Sequence, residues 1–234
     1  MFPEGLDTVL FDAGGTLVHV DYAFVVALAA EHGVAIDPER MPEGDVAARL
    51  AVDERLRRVA AGEDTDAKRV GGYFHDLLLG AGVAPGPAEW LAPHVKAAHD
   101  DENLWRVPYH DALETLVALR AAGLATAVIS NADGRVRALL ARAGLTAQLD
   151  YVIDSHEEGV EKPHPEIFHR AIARSGTAPE RALYVGDIYA VDVLGSRAAG
   201  LTPCLLDPLG RYEAVDCARV ATLTELAGRL TGSR

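Results

Sequence analysis

Thr8-Val9-Leu10-Phe11 is a short run of strand-forming residues that stops at Asp12 and meets glycines at once, in Ala13-Gly14-Gly15-Thr16. The run is continuous in its apolar character rather than alternating. That predicts a strand covered on both faces, the situation of a parallel sheet. Four comparable runs follow: Ala125-Thr126-Ala127-Val128-Ile129, which ends at Ser130-Asn131, then Tyr151-Val152-Ile153, Ala182-Leu183-Tyr184-Val185 and Thr202-Pro203-Cys204-Leu205-Leu206. Helical spacing lies between them. Leu113, Leu116, Val117 and Arg120 precede Gly123 as a stop. Asp133 is placed to cap a helix carrying Val136, Leu139, Leu140 and Ala143, ended by Gly144. Pro165 suits a first helical turn, with Ile167, Phe168, Ala171 and Ile172 on one face and Gly176 as terminator. Val191, Leu194 and Ala198 form a last stripe, stopped by Gly200. Strand–helix–strand repetition predicts an α/β fold with a doubly wound, Rossmann-like parallel sheet.

A strand–helix–strand unit needs only about 30 residues, yet 118 positions separate Asp12 from Ser130. The excess reads as helical over Ala23 to Ala30, Val46 to Ala61, Gly72 to Leu79 and Ala88 to Ala98. Breaks fall at Gly33, Pro38, Gly62 and the predicted loop Gly82-Val83-Ala84-Pro85-Gly86-Pro87. We therefore expect a core of residues 1–19 and 106–234, interrupted by an all-helical cap domain over 20–105 that acts as a lid. Trp90 and Trp105, in or next to that insertion, are expected to pack it.

Composition narrows the partners. Of 234 residues 49% are hydrophobic and 24% charged, enough apolar content for a real core and too much for disorder. Asp plus Glu outnumber Lys plus Arg by 35 to 22, a net charge of −13. Such a chain repels the phosphates of nucleic acids and anionic lipids, so neither is an expected partner. The longest uncharged apolar run, Ala23 to Ala30, is far below the ~20 residues of a membrane helix. No signal peptide is expected ahead of the first strand. Cys204 and Cys217 are too few for a disulfide scaffold and lack metal-ligand spacing, so a reduced, cytoplasmic setting is expected. Nothing in the pattern chooses between monomer and homodimer. Only three lysines occur, Lys68, Lys96 and Lys162, which makes each worth placing.

In open parallel sheets ligands bind beyond the carboxyl ends of the strands. The first strand delivers Asp12 there, the second Ser130 and Asn131, and the fourth Gly186-Asp187 with Asp192 five residues on. Glu161-Lys162-Pro163-His164-Pro165 follows the third. Each residue alone also reads as a turn cap or a solvated charge. Together they gather three carboxylates, one ammonium and one hydroxyl on one rim, which favours phosphate chemistry. Asp12 on a glycine turn is an exposed carboxylate nucleophile. Magnesium would relieve the repulsion between carboxylates and a phosphoryl group, with Asp12 and Asp187 as ligands and Asp192 either binding it directly or holding its water. Lys162 would neutralise charge on the nucleophile and the transferring group, and Ser130 with neighbouring backbone amides would hydrogen-bond phosphoryl oxygens.

Four segments in this order resemble the haloacid dehalogenase-like hydrolase superfamily, in its branch with a helical cap inserted after the first motif. They are Phe11-Asp12-Ala13-Gly14-Gly15-Thr16-Leu17, Val128-Ile129-Ser130-Asn131, Lys162-Pro163-His164-Pro165-Glu166-Ile167-Phe168 and Val185-Gly186-Asp187-Ile188-Tyr189-Ala190-Val191-Asp192-Val193. Together the four motifs are specific, whereas any one alone is weak. The resemblance implies a magnesium-dependent phosphatase of a small phosphorylated metabolite, with Asp12 as the residue phosphorylated by substrate. It implies Ser130 and Lys162 beside it in catalysis, and phosphate binding by Ala13, Gly14, Ser130, Asn131 and Lys162. The metal would fall to Asp12, the Gly14 carbonyl, Asp187 and Asp192.

The family's phosphatases usually carry a second aspartate two residues after the nucleophile, which protonates the leaving oxygen; here that position is Gly14. General acid–base help is worth about 10²–10⁴-fold. Either the leaving group needs no acid, or another residue substitutes (His19, His75 and His94 are candidates), or catalysis is weak or absent. The same departure opens a metal-independent 2-haloacid dehalogenase, since halide leaves without a proton. It also opens a non-catalytic phosphate-ligand-binding member, and a Schiff-base role for Lys68 or Lys96. The acidic Gly186-Asp187 pair favours the metal-dependent phosphatase over the dehalogenase.

Overall fold

The computed structural model describes residues 2–61, 72–213 and 215–232. Gly62 and Lys68 lie outside the described residues. The chain divides into two compact units, one formed by Met1–His19 with Trp105–Arg234 and the other by Val20–Leu104.

The first unit is built on a six-stranded sheet in the order β5-β4-β1-β6-β7-β8. Its strands are β1 (Thr8–Phe11), β4 (Ala125–Ser130), β5 (Tyr151–Asp154), β6 (Ala182–Gly186), β7 (Thr202–Leu206) and β8 (Ala218–Val220). Every pairing is parallel. Successive side chains of β1 point to opposite faces, so Val9 and Phe11 join one apolar cluster and Leu10 the other. The first cluster takes in Leu116 and Leu119 of α5 (Ala112–Ala121), Leu140 of α6 (Val136–Arg142) and Leu226 of α10 (Leu223–Thr231). The second takes in Ile167, Phe168, Ala171 and Ile172 of α8 (Pro165–Ser175). Helices on both faces of one parallel sheet make the expected doubly wound architecture.

The four glycines read as helix stops, Gly123, Gly144, Gly176 and Gly200, all carry positive φ, between 67° and 83°. Three strands escaped the pattern. β8 is three residues long with a charge in its centre, at the sheet edge where one side of a strand has no neighbour. β2 (Val18–Val20) and β3 (Trp105–Pro108) pair in a separate two-stranded sheet.

Other expectations are corrected. Asp133 does not cap α6; Arg135 holds that position, and Asp133 instead accepts from the Arg135 N–H at 3.2 Å. The stripe Val191, Leu194, Ala198 is not the buried face: residues 189–193 wind as a π-helix, which rotates Asp192, Val193, Gly195 and Ser196 inward and leaves Leu194 exposed. Trp105 belongs to the sheet unit and packs against its first apolar cluster.

The second unit is helical, with α1 (Tyr22–Glu31), α2 (Met41–Ala60), α3 (Tyr73–Gly80) and α4 (Pro85–Asp101). Pro85, Gly86 and Pro87 form the first turn of α4 rather than a loop, because proline suits positions whose N–H has no helical partner. Asp45, almost fully buried on α2, accepts from the Tyr22 hydroxyl at 2.8 Å, from the Tyr73 hydroxyl and from Arg49, so one carboxylate ties α1, α2 and α3. Trp90 is exposed beside the rings of His32 and His94.

Candidate active site

Asp12 extends β1 by one residue, its N–H donating to the Val185 carbonyl at 2.8 Å. The chain then folds tightly: the N–H groups of Leu17 and Val18 both donate to the Ala13 carbonyl at 2.9 Å. Gly15 sits in this turn at φ +80°. A Cβ there would fall on the Asp187 carboxylate, so the glycine is what lets Asp187 approach the turn. Thr16 donates its hydroxyl to Asp187 Oδ1 at 3.5 Å. Gly15→Ala is expected to cost about 1–3 kcal/mol through the left-handed backbone alone, with Asp187 displaced. An unchanged urea midpoint would contradict this.

Lys162 is the hub. Its Nζ lies 2.7 Å from Asp12 Oδ1, 2.8 Å from Asp192 Oδ1 and 2.8 Å from the Tyr184 hydroxyl, with the side chain 2% exposed. Burial alone would push the ammonium to release its proton. The carboxylates of Asp12 and Asp192 overcome this and raise its pKa above the ordinary lysine value. Its backbone is clamped by Asn131, which accepts from the Lys162 N–H at 2.7 Å and donates to the Lys162 carbonyl at 2.8 Å. The Asn131 amide is thereby engaged by protein, and any phosphate contact from that position falls to the backbone. Burial raises the Asp12 carboxyl to about 6; Lys162 opposes this and Asp192 adds to it.

Asp192 has its acceptor sites filled. Oδ1 takes Lys162 Nζ and the Tyr184 hydroxyl, the latter at 3.2 Å, and Oδ2 takes the N–H groups of Asp187 and Ile188 at 3.1 and 3.0 Å. It therefore fixes both the lysine and the turn that carries Asp187. Ligand oxygens of Asp12, Asp187 and Asp192 lie within 4.8 Å of one another. Three buried carboxylates against one ammonium leave an excess of negative charge, and an all-oxygen set held by a glycine cradle fits a hard divalent cation.

Ser130 is buried at the end of β4, in register with Asp154. Ala13 is buried and Gly14 partly exposed in the turn after Asp12. The His19 ring packs 5.0 Å from that of Tyr109, and His75 and His94 belong to the helical unit, where His94 Nδ1 is 2.9 Å from the Trp90 carbonyl. Lys96 pairs with Asp100 at 2.6 Å on the exposed side of α4.

Sequence reasoning missed Tyr184, whose fully buried hydroxyl meets both Lys162 and Asp192. A lone hydroxyl within Ala182-Leu183-Tyr184-Val185 was the available signal. It also missed Tyr212, which donates to the Asp187 carbonyl at 3.2 Å, and Asp207, which accepts from the Tyr212 N–H at 3.1 Å; nothing in their spacing marks them.

Comparison with known proteins follows the same line. The chain matches the family of haloacid dehalogenase-like hydrolases over residues 6–200. A glyceraldehyde 3-phosphate phosphatase of Methanopyrus kandleri is 36% identical over 145 residues, 62% of this chain and 61% of its own, so the match spans about three fifths of that relative. A ribulose-1,5-bisphosphate 5-phosphatase of Halopiger xanaduensis is 33% identical over 223 residues, 92% of this chain and 90% of that protein. The crystal structure of the Bacillus subtilis hydrolase YfnB, bound to magnesium, covers 97% of this chain and 99% of its own with a TM-score of 0.66 at 20% identity, a likeness of fold. The strand-end residues, their order along the chain and these matches agree: the protein belongs to the haloacid dehalogenase-like hydrolase family.

Proposed function

We propose that the chain is a magnesium-dependent phosphohydrolase of a small phosphorylated metabolite, working through an aspartyl-phosphate at Asp12. The observation that carries this reading is the Asp12–Lys162–Asp192 chain of contacts beside Asp187. It couples a carboxylate nucleophile to a fixed positive charge. Asp12 attacks phosphorus. Lys162 holds Asp12 in one rotamer and offsets charge on the transferring group. Ser130 and the amides after Asp12 and Ser130 bind phosphoryl oxygens. Asp12, Asp187 and the Gly14 carbonyl would hold magnesium, with Asp192 orienting them. Bound there, the ion supplies charge neutralisation at the phosphoryl oxygens. We assign the helical unit of residues 20–104 the role of cap, excluding bulk water during transfer. The phosphatase names of two relatives support the reaction class.

The dehalogenase alternative rests on Gly14. Against it, a haloacid's own carboxylate would meet Asp187 next to Asp12. Among the described residues no helix is long and apolar enough to cross a membrane.

The test is hydrolysis of an aryl phosphate by the whole chain, with magnesium and with chelator. Turnover that requires the metal is the expected result. Equal turnover in chelator, or metal-free halide release from 2-chloropropionate with no phosphate turnover, would overturn the reading.

A further inference from the structure

Gly14 follows the nucleophile by two residues, and the space above it is taken. A Cβ at position 14 would lie 2.9 Å from Cδ1 and 3.3 Å from Nε1 of Trp105. The first distance is closer than carbon atoms approach without something moving, and the obstacle is a rigid ring rather than the tip of a flexible chain. Trp105 opens β3, which pairs with β2 just after the turn, and its indole packs on the apolar cluster that contains Phe11, Leu17 and Val18. The ring is thus held from both sides, by its strand and by the core. Any side chain at 14 must displace it.

We infer that Trp105 and Gly14 are a matched pair that keeps a proton-transferring side chain away from this edge of Asp12, and that the substrates are phosphates whose leaving group departs as a stable anion: acyl, enol or aryl phosphates. The inference rests on Asp12 as phosphoryl acceptor and narrows that reading to a substrate class. In the first step an Asp12 carboxylate oxygen forms a bond to phosphorus while the bond from phosphorus to the leaving oxygen breaks. That oxygen keeps the electron pair. Water then attacks phosphorus, the Asp12–phosphorus bond breaks, and the water's proton passes to solvent. An indole N–H is a hydrogen-bond donor only and gives up no proton. An alkoxide leaves as a base about as strong as hydroxide, whereas a carboxylate leaves with a conjugate-acid pKa of ~4 and a phenolate with one of ~10. Without an acid at position 14, the first departure is slow and the others proceed.

The experiment measures kcat/KM, which reports the phosphoryl transfer to Asp12, for the whole chain with magnesium. The substrates are acetyl phosphate, 4-nitrophenyl phosphate, phenyl phosphate and glycerol 1-phosphate. We expect a fall of at least about 10²-fold from acetyl to glycerol phosphate, the lower end of what general acid catalysis supplies. Gly14→Asp alone is expected to gain nothing on glycerol phosphate. In a Trp105→Ala background the same substitution is expected to raise it at least tenfold over Trp105→Ala. Glycerol phosphate cleaved by the wild type within tenfold of acetyl phosphate would overturn the inference, as would a gain from Gly14→Asp alone. The wild-type series decides the matter even where a variant fails to fold, which thermal melting reveals. Absence of Asp12-dependent turnover on all four substrates would instead sink the phosphohydrolase reading itself.

Discussion

Asp12→Asn is expected to lower phosphate-ester turnover by at least about 10⁴-fold, the scale on which removal of a covalent nucleophile acts, while the protein stays folded. The amide keeps the shape of the carboxylate and can still meet Lys162 through its oxygen, but it cannot form the bond to phosphorus. Its effect on stability has a sign that the burial of Asp12 fixes. The wild-type carboxyl titrates at about 6, against 3.8 for an unburied aspartate. A carboxyl raised in this way contributes its stability below about pH 4 and loses it as pH rises through 6, where the ionised form sits in a poorly solvated place. Asparagine carries no such cost. In chelating buffer the melting temperature of Asp12→Asn should therefore gain on the wild type between pH 4 and 7. Magnesium should raise the wild type more than the variant. Residual activity within tenfold of wild type would remove Asp12 from the mechanism, and a melting difference independent of pH would contradict the assigned burial.

Lys162→Met should be the most damaging single change to the folded state. It leaves the carboxylates of Asp12 and Asp192 without the ammonium that both contact, and breaking a buried ion pair from one side costs about 3–5 kcal/mol. The loss should shrink toward acid pH, because the Asp12 carboxyl, which burial raises to about 6, takes up a proton there and its repulsion of Asp192 is relieved. Urea unfolding at pH 5 and pH 8 measures this. Turnover should fall by a further 10²–10³-fold, roughly the effect of deleting one preorganised charge-stabilising group. A variant as stable as wild type at pH 8 would show that the Asp187 and Ile188 amides and the Tyr184 hydroxyl hold Asp192 in place without the lysine.

Much of this was legible along the chain because parallel strands advertise themselves. Buried on both faces, Thr8–Phe11 and Ala182–Val185 cannot alternate, and the residues that end them must lie on one rim. The glycine stops were legible too, since a left-handed residue is needed where those helices turn back. What periodicity could not give is the direction of a helix whose register is broken. The π-turn at 189–193 rotated Asp192 inward and Leu194 outward, against the apolar stripe. Nor could spacing show that Asn131 serves the Lys162 backbone, or that Tyr184 completes the lysine's shell, because those contacts join residues 31 and 22 positions apart.

By itself the sequence determined the doubly wound sheet, the helical insertion and the set of charged residues delivered to the strand ends, because local apolar pattern and turn chemistry dictate those features residue by residue. Tertiary structure alone decided who touches whom on that rim: Asp192 spent on Lys162 and the Asp187 turn, and Trp105 seated where a side chain at 14 would stand. The seat of Trp105 depends on close packing between segments about 90 residues apart, where a few tenths of an ångström separate contact from collision, and no local pattern encodes that fit.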